Sequence, residues 1–295
     1  MLECPNLTDE GIASAIRERP TLKSLSVRWS SYQSPDNSRL HFIHSLMNLE
    51  GLTSLDLSFS HISDDLLSTI AMRGLPLRRL VLRHCTGYSY AGIFGLLSKC
   101  QHIQHLDLET VHYVIDRLND QCVSNLSLIL GNLMSINLTG QDLTNLALFA
   151  LARNCPSLSE IKMEYSHIGE ASIDDSNPFM DFVVNPQLKF LYLHGGNWLD
   201  TNIIMLASIF PNLQPLDLSS CDNISGHGIY QVLRRCCKIR HLNLAHCSRV
   251  KLCGINLLKV SKLEVLNLSH TSVDDETLCD LNELLWNFAT VTGKL

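Results

Sequence analysis

The sequence predicts an α/β solenoid of about ten repeats: a horseshoe arc with parallel β-strands on its concave face and α-helices on its convex face. Three observations carry that expectation. One pattern, L-x-x-L-x-L with conservative swaps, recurs ten times, beginning at Leu22, Leu52, Leu77, Ile103, Leu133, Leu158, Leu188, Leu213, Ile239 and Leu263. Successive copies lie 24 to 30 residues apart, the long end of the leucine-rich-repeat range. Helix-period stretches fill the intervals, and apolar residues make up 45% of the 295, enough for a continuous core.

Each repeat starts with a strand. Positions 4 and 6, as in Leu52-Thr53-Ser54-Leu55-Asp56-Leu57, alternate with polar neighbours, the mark of a short strand with one face buried. A helix follows. In Ser225 to Leu233, Ile229, Val232 and Leu233 share one helix face and Ser225 stands as N-cap. Thr8-Asp9-Glu10, Ser63-Asp64-Asp65 and Asp274-Asp275-Glu276 place a cap before acids in the first turn, where the helix dipole favours them. Neither element can bury its apolar face alone, so stacking makes the core.

Position 9, where the chain leaves the strand, is Cys85, Cys221 and Cys247 in three repeats and Ser30, Ser60, Ser166 or Thr271 in others. Cys100, Cys155 and Cys236 form a second set, three residues before the strand. Cysteine at a repeat position reads as a small buried hydrophobe with a weak donor. The total of eleven is odd and contains no Cys-x-x-Cys pair. The start, Met1 to Asn6, has neither the basic nor the apolar segment of a secretory signal. Reduced thiols and a place in the cytoplasm or nucleus are therefore expected, and the sequons at Asn6, Asn125, Asn137, Asn223 and Asn267 read as accidents of a Leu/Asn/Ser-rich repeat.

Composition narrows the function classes. The net charge is −6 and no basic run suggests a nucleic-acid stripe. No apolar run reaches the roughly 18–20 residues that would cross a bilayer. No nucleophile elbow, phosphate loop, glycine fingerprint or His-Glu-x-x-His is present, so neither catalysis, a cofactor nor a metal site is expected. What remains is a protein-binding surface.

The run Cys221-Asp222-Asn223-Ile224-Ser225-Gly226-His227-Gly228-Ile229, ending in Cys236 and then Ile239 to Leu244, resembles the cysteine-containing repeat of plant-type F-box/LRR proteins and their ribonuclease-inhibitor-like relatives. Similar runs start at Cys4, Cys85 and Cys247. The resemblance implies the substrate-recognition region of a Skp–cullin–F-box ligase, selecting targets for ubiquitination and proteasomal degradation. The family's F-box is absent from this chain. Cys4 to Ile12 aligns without gaps on Cys221 to Ile229, so the chain opens in mid-repeat, and a Skp-type adaptor is expected as partner only through an upstream F-box. A free-standing scaffold or regulator, or a truncated fragment that recruits no ligase, stays open beside that expectation. The whole chain, 1–295, is expected to be one array, with 286–295 a poorly matching tail or makeshift cap.

Positions 3, 5 and 7 should project from the concave face. They supply Arg79 and Arg83 from the third repeat, Asp107 and Glu109 from the fourth, Glu160, Lys162 and Glu164 from the sixth, and Phe190, Tyr192 and His194 from the seventh, with Trp198 just beyond. Aromatic and Arg side chains are favoured anchors for a protein partner. Asp56, Asp107 and Asp217 at position 5 also fit the repeat's own Leu-Asp-Leu habit. Extra residues after three strands, at 29–35, 111–116 and 168–178, predict rim loops that add to the binding side.

Overall fold

The computed structural model describes residues 8–28, 40–110, 117–166, 184–251, 263–274 and 290–292. The expected rim loops, the run from Cys4 to Leu7 and most of the C-terminal tail lie outside the described residues. Two compact units, 1–138 and 139–295, carry the repeats.

In the first unit, α1 (Asp9–Arg17), α2 (Leu40–Leu46), α3 (Asp64–Arg73), α4 (Tyr90–Lys99) and α5 (Asp120–Ile129) alternate with β1 (Ser24–Ser26), β2 (Ser54–Asp56), β3 (Arg79–Val81), β4 (His105–Asp107) and β5 (Ser135–Asn137). The five strands pair in chain order, all parallel, with Leu55 opposite Leu80 and Leu106 opposite Ile136. The second unit holds α6 (Asn145–Asn154), β6 (Glu160–Lys162), β7 (Phe190–Tyr192), α7 (Asp200–Ile209), β8 (Pro215–Asp217), α8 (Gly226–Arg235), β9 (His241–Asn243), β10 (Val265–Asn267) and β11 (Thr290–Thr292). Its strands also pair in chain order and in parallel, Leu216 opposite Leu242 and Leu242 opposite Leu266. β11 occupies the place where the next repeat's strand was due, with Val291 opposite Leu266.

The leucine positions are the core. Leu52, Leu55 and Leu57, and Leu188, Leu191 and Leu193, have no exposed surface. Each strand is only three residues long, yet the ladder continues beyond it. The position-6 amide donates to the next repeat's position-5 carbonyl, as Leu57 does to Val81 and Leu218 to Asn243, both at 2.9 Å. The position-8 amide then donates to the next position 7, as Phe59 does to Arg83 at 2.8 Å. Buried amides are thus paired between neighbours, as a core must be.

The thiols join the same ladder. Sγ of Cys85 donates to the Leu57 carbonyl at 2.9 Å and that of Cys247 to Leu218 at 3.1 Å. In the pre-strand set, Cys236 donates to the Phe210 carbonyl at 3.2 Å. A carbonyl that would lack a partner at the turn receives one, from a side chain small enough to be enclosed.

The helices are locked by a relay of caps. Ser89 caps α4 and Ser225 caps α8 through the amides of Gly92 and Gly228. Each cap is held by the first-turn aspartate of the preceding helix. Asp64 accepts from the Ser89 amide at 2.8 Å and its hydroxyl at 2.7 Å, and Asp200 does the same for Ser225, its amide at 2.8 Å. A Cβ at Gly92 or Gly228 would collide with that carboxylate, which is why glycine follows the capping serine by three.

Candidate functional site

Strand-face positions 3, 5 and 7 form an open surface in each unit. In the first, Arg79 is exposed and its register neighbours are Ser54 and His105, with no carboxylate between them. Arg83 is paired with Glu109, whose other oxygen lies 3.3 Å from His84 Nε2 and which accepts from Asn137 Nδ2 at 2.9 Å. The bond to Glu109 outweighs burial and holds the Arg83 pKa above its ordinary value. The His84 ring packs 4.9 Å from Phe59, over which the Arg28 guanidinium sits at 4.0 Å. Arg28, Phe59, His84, Glu109 and Arg83 therefore make one run along the edge of the strand face.

Asp107 acts chiefly on its own backbone: Oδ1 accepts from the Glu109 amide at 3.1 Å. The Asp and Asn at position 5 of other repeats behave alike, Asp217 toward Ser219 at 2.9 Å and Asn243 toward Ala245 at 3.1 Å. These side chains fold the chain off the strand as Asx turns, and their recurrence is the repeat's architecture.

In the second unit, register sets Glu160 beside Phe190 and Lys162 beside Tyr192, with Asp217 on the other side of Tyr192. Lys162 Nζ is 3.4 Å from Glu160 and 5.0 Å from the Tyr192 ring centroid. Partial burial raises the Tyr192 pKa, Lys162 opposes the rise, and Glu160, Asp217 and Glu164 reinforce it. His194 Nδ1 lies 2.6 Å from Ser219 Oγ, and that hydroxyl donates to Asp217. Ser219 must then accept from His194, which places a proton on Nδ1. Tyr165 meets the same imidazole edge-on at 4.8 Å.

Trp198 is a correction. It was expected just beyond this face but is fully buried, its Nε1 without a hydrogen-bond partner. It stands two residues before α7, where the chain turns inward to the helix layer, so its large apolar area fills core. The remaining strand-face candidates are at least partly accessible.

One feature of the turn is not marked by the sequence's alternation. Position 8 is left-handed in repeat after repeat: Phe59, His84, Tyr165, Ser220, His246 and His270 all have φ between 53° and 62°. Gly140 and Gly195 occupy the same position with φ of 78° and 75°, and they were the available signal. The turn imposes the conformation and costs a side-chain-bearing residue about 1 kcal/mol or more. It also aims aromatic rings outward: His246 and His270 stack at 4.4 Å, and Tyr165 is 49% exposed.

The buried thiols offer no chemistry. Burial pushes Cys85, Cys155 and Cys236 up to about 12 and Cys100 and Cys247 to about 11, and raises Cys221 further. A neutral, enclosed thiol is neither a nucleophile nor a ligand. Among the described residues no three His, Cys, Asp or Glu converge on a metal position, and no helix is long and apolar enough to cross a membrane.

Residues 52–71, which run from β2 through most of α3, match the family model described as Leucine Rich repeat. A chain from the yeast Rad7–Elc1 complex shares the fold over 99% of this chain and 79% of its own, with a TM-score of 0.60 and 18% identity. Both units are stretches of leucine-rich-repeat solenoid. Two curated proteins are also similar. The chain is 28% identical over 113 residues to Antagonist of mitotic exit network protein 1 of Saccharomyces cerevisiae, covering 37% of this chain and 19% of that protein. It is 26% identical over 209 residues to Lysine-specific demethylase 2B of Mus musculus, covering 67% of this chain and 14% of that protein. The chain thus spans less than a fifth of the length of either.

Proposed function

We propose that this leucine-rich-repeat protein is the target-recognition region of an F-box/LRR protein, working in the cytoplasm or nucleus, whose strand face selects proteins for ubiquitination by a Skp–cullin–F-box ligase. The observation that carries the proposal is the thiol ladder. Cys85, Cys221 and Cys247 at position 9, and Cys100 and Cys236 before the strand, are buried donors to backbone carbonyls, and Cys155 at the second position is buried too. That is what the cysteine-containing repeat of the family requires. The open strand face, bearing Arg79, Phe190 and Tyr192, suits a protein segment better than a small molecule, which favours a concave pocket. The similarity to a chain from the Rad7–Elc1 complex supports an assembly of such a fold with a second protein.

The test is affinity purification of the native gene product, tagged at its chromosomal locus. The proposal expects a Skp-type adaptor and a cullin in the eluate, with bound proteins that accumulate when the gene is silenced. Bound proteins without adaptor or cullin would overturn the ligase assignment. They would favour a free-standing regulator, the reading suited to the similarity with Antagonist of mitotic exit network protein 1.

A further inference from the structure

We infer that the second unit's strand face, centred on Tyr192 and Phe190, recognises a protein segment in which a Lys or Arg side chain lies next to an apolar one. This rests on the proposed protein-recognition role and specifies the chemistry of the partner.

Charge complementarity carries it. Three carboxylates, Glu160, Glu164 and Asp217, act electrostatically on Tyr192 against the single ammonium of Lys162. The face is therefore net negative around an aromatic pair. Lys162 shows how a cation is held there: Nζ is 3.4 Å from Glu160 and 5.0 Å from the Tyr192 ring. Carboxylate on one side and aromatic face on the other is the geometry that binds an incoming ammonium or guanidinium. Phe190 lies in register one residue before the level of Tyr192's own predecessor pair, beside Glu160, and Pro215 begins the adjacent strand. These give the apolar neighbour of the cation a surface to cover.

The same chemistry disfavours other occupants. A nucleic-acid phosphate or an acidic peptide would meet like charge, which costs affinity and slows encounter. The first unit differs: there Arg79 faces solvent with no carboxylate in register.

The experiment uses the full chain and three fluorescein-labelled peptides of one Gly/Ser scaffold. One carries a central Lys-Leu-Arg-Leu, one has Glu in place of the basic residues, and one has Ser in place of the leucines. Fluorescence anisotropy at low and physiological salt should rank the basic-apolar peptide about tenfold or more above the other two. Tyr192→Ala should weaken it about tenfold, Tyr192→Phe should retain it, and Glu160→Gln with Glu164→Gln should weaken it severalfold and flatten its salt dependence. Met72→Ser, on an exposed helix position away from the strand face, should leave it unchanged. Circular dichroism of each variant separates loss of contact from loss of fold. No binding of the basic-apolar peptide, equal binding of the acidic one, or indifference to Tyr192→Ala in a folded variant would each overturn the inference. A chain that fails this test while the tagged protein still retains targets in cells leaves the recognition role standing. Failure of both removes the role itself.

Discussion

Raising the pH should unfold this protein through its thiols. An ordinary thiol titrates near 9.0, whereas folding holds Cys85 at about 12 and Cys100 at about 11 in the first unit. In the second unit Cys155 and Cys236 are held at about 12, Cys247 at about 11, and Cys221 higher still. A group raised by folding contributes its full stability below the unfolded pKa and loses it as pH climbs toward the folded one. Below pH 8 both states keep the proton and nothing changes. By pH 10 the unfolded chain has released most of these protons and the folded chain almost none, so each thiol costs about 1.4 kcal/mol. Two thiols remove roughly 3 kcal/mol from the first unit and four remove roughly 5–6 kcal/mol from the second, a large part of an ordinary domain's stability. The assay is urea unfolding followed by circular dichroism at intervals from pH 7 to pH 10. Cys85→Ala serves as the control, since Tyr and Lys ionisations are common to both proteins. It should cost about 1–2 kcal/mol at pH 7, from the lost bond to the Leu57 carbonyl and the small void. Its loss between pH 8 and pH 10 should then be smaller than that of the parent by about 1.4 kcal/mol. Parallel pH profiles for parent and variant would refute the assignment of Cys85 as a buried neutral donor.

Three further outcomes follow from the same packing. Gly228→Ala should destabilise the second unit by about 2 kcal/mol or more, since its Cβ collides with Asp200 and disrupts the bonds to the Ser225 cap; Gly51→Ala, at a site with open space around it, is the matched control in thermal melts. Trp198→Ala should cost about 3–5 kcal/mol, and Trp198→Phe markedly less because no hydrogen bond of Nε1 is lost; chemical denaturation of both variants decides this. Brief iodoacetamide treatment of the native protein, followed by peptide mass mapping, should label exposed Cys237 while Cys85, Cys155, Cys221, Cys236 and Cys247 react only after denaturation.

The repeats were legible because their cause is periodic. A leucine or another apolar residue at positions 1, 4 and 6 must face inward in every copy, and Ser, Thr or Asn caps such as Ser63, Asn119 and Thr144 announce most of the described helices, so strand and helix positions follow from spacing alone. Position 5 was legible too: Asp56 and Asp217 looked like a repeat habit, and both bind their own backbone. The left-handed turn at position 8 was hidden because the fold imposes it on Phe59, Tyr165 and His246 as readily as on Gly195. Nothing in an aromatic side chain predicts that conformation. The Asp64–Ser89 and Asp200–Ser225 relays were missed for another reason, since they join residues 25 apart whose meeting depends on how helices stack. Trp198 was misplaced by extending the strand's alternation past the turn, where inward and outward are set by the entry into α7. The pairing of Arg83 with Glu109, which lowers the claim of both to be free anchors, required the register of adjacent repeats.

The central claim is that the strand face is the recognition surface. Site-specific photo-crosslinking in living cells tests it most directly, with a benzophenone amino acid placed at Arg79 or Tyr192 on strands, or at exposed Met72 or Leu128 on helices. The account predicts discrete protein adducts from one or both strand positions and none from the helix positions. Adducts from Met72 or Leu128, with none from Arg79 and Tyr192, would contradict it.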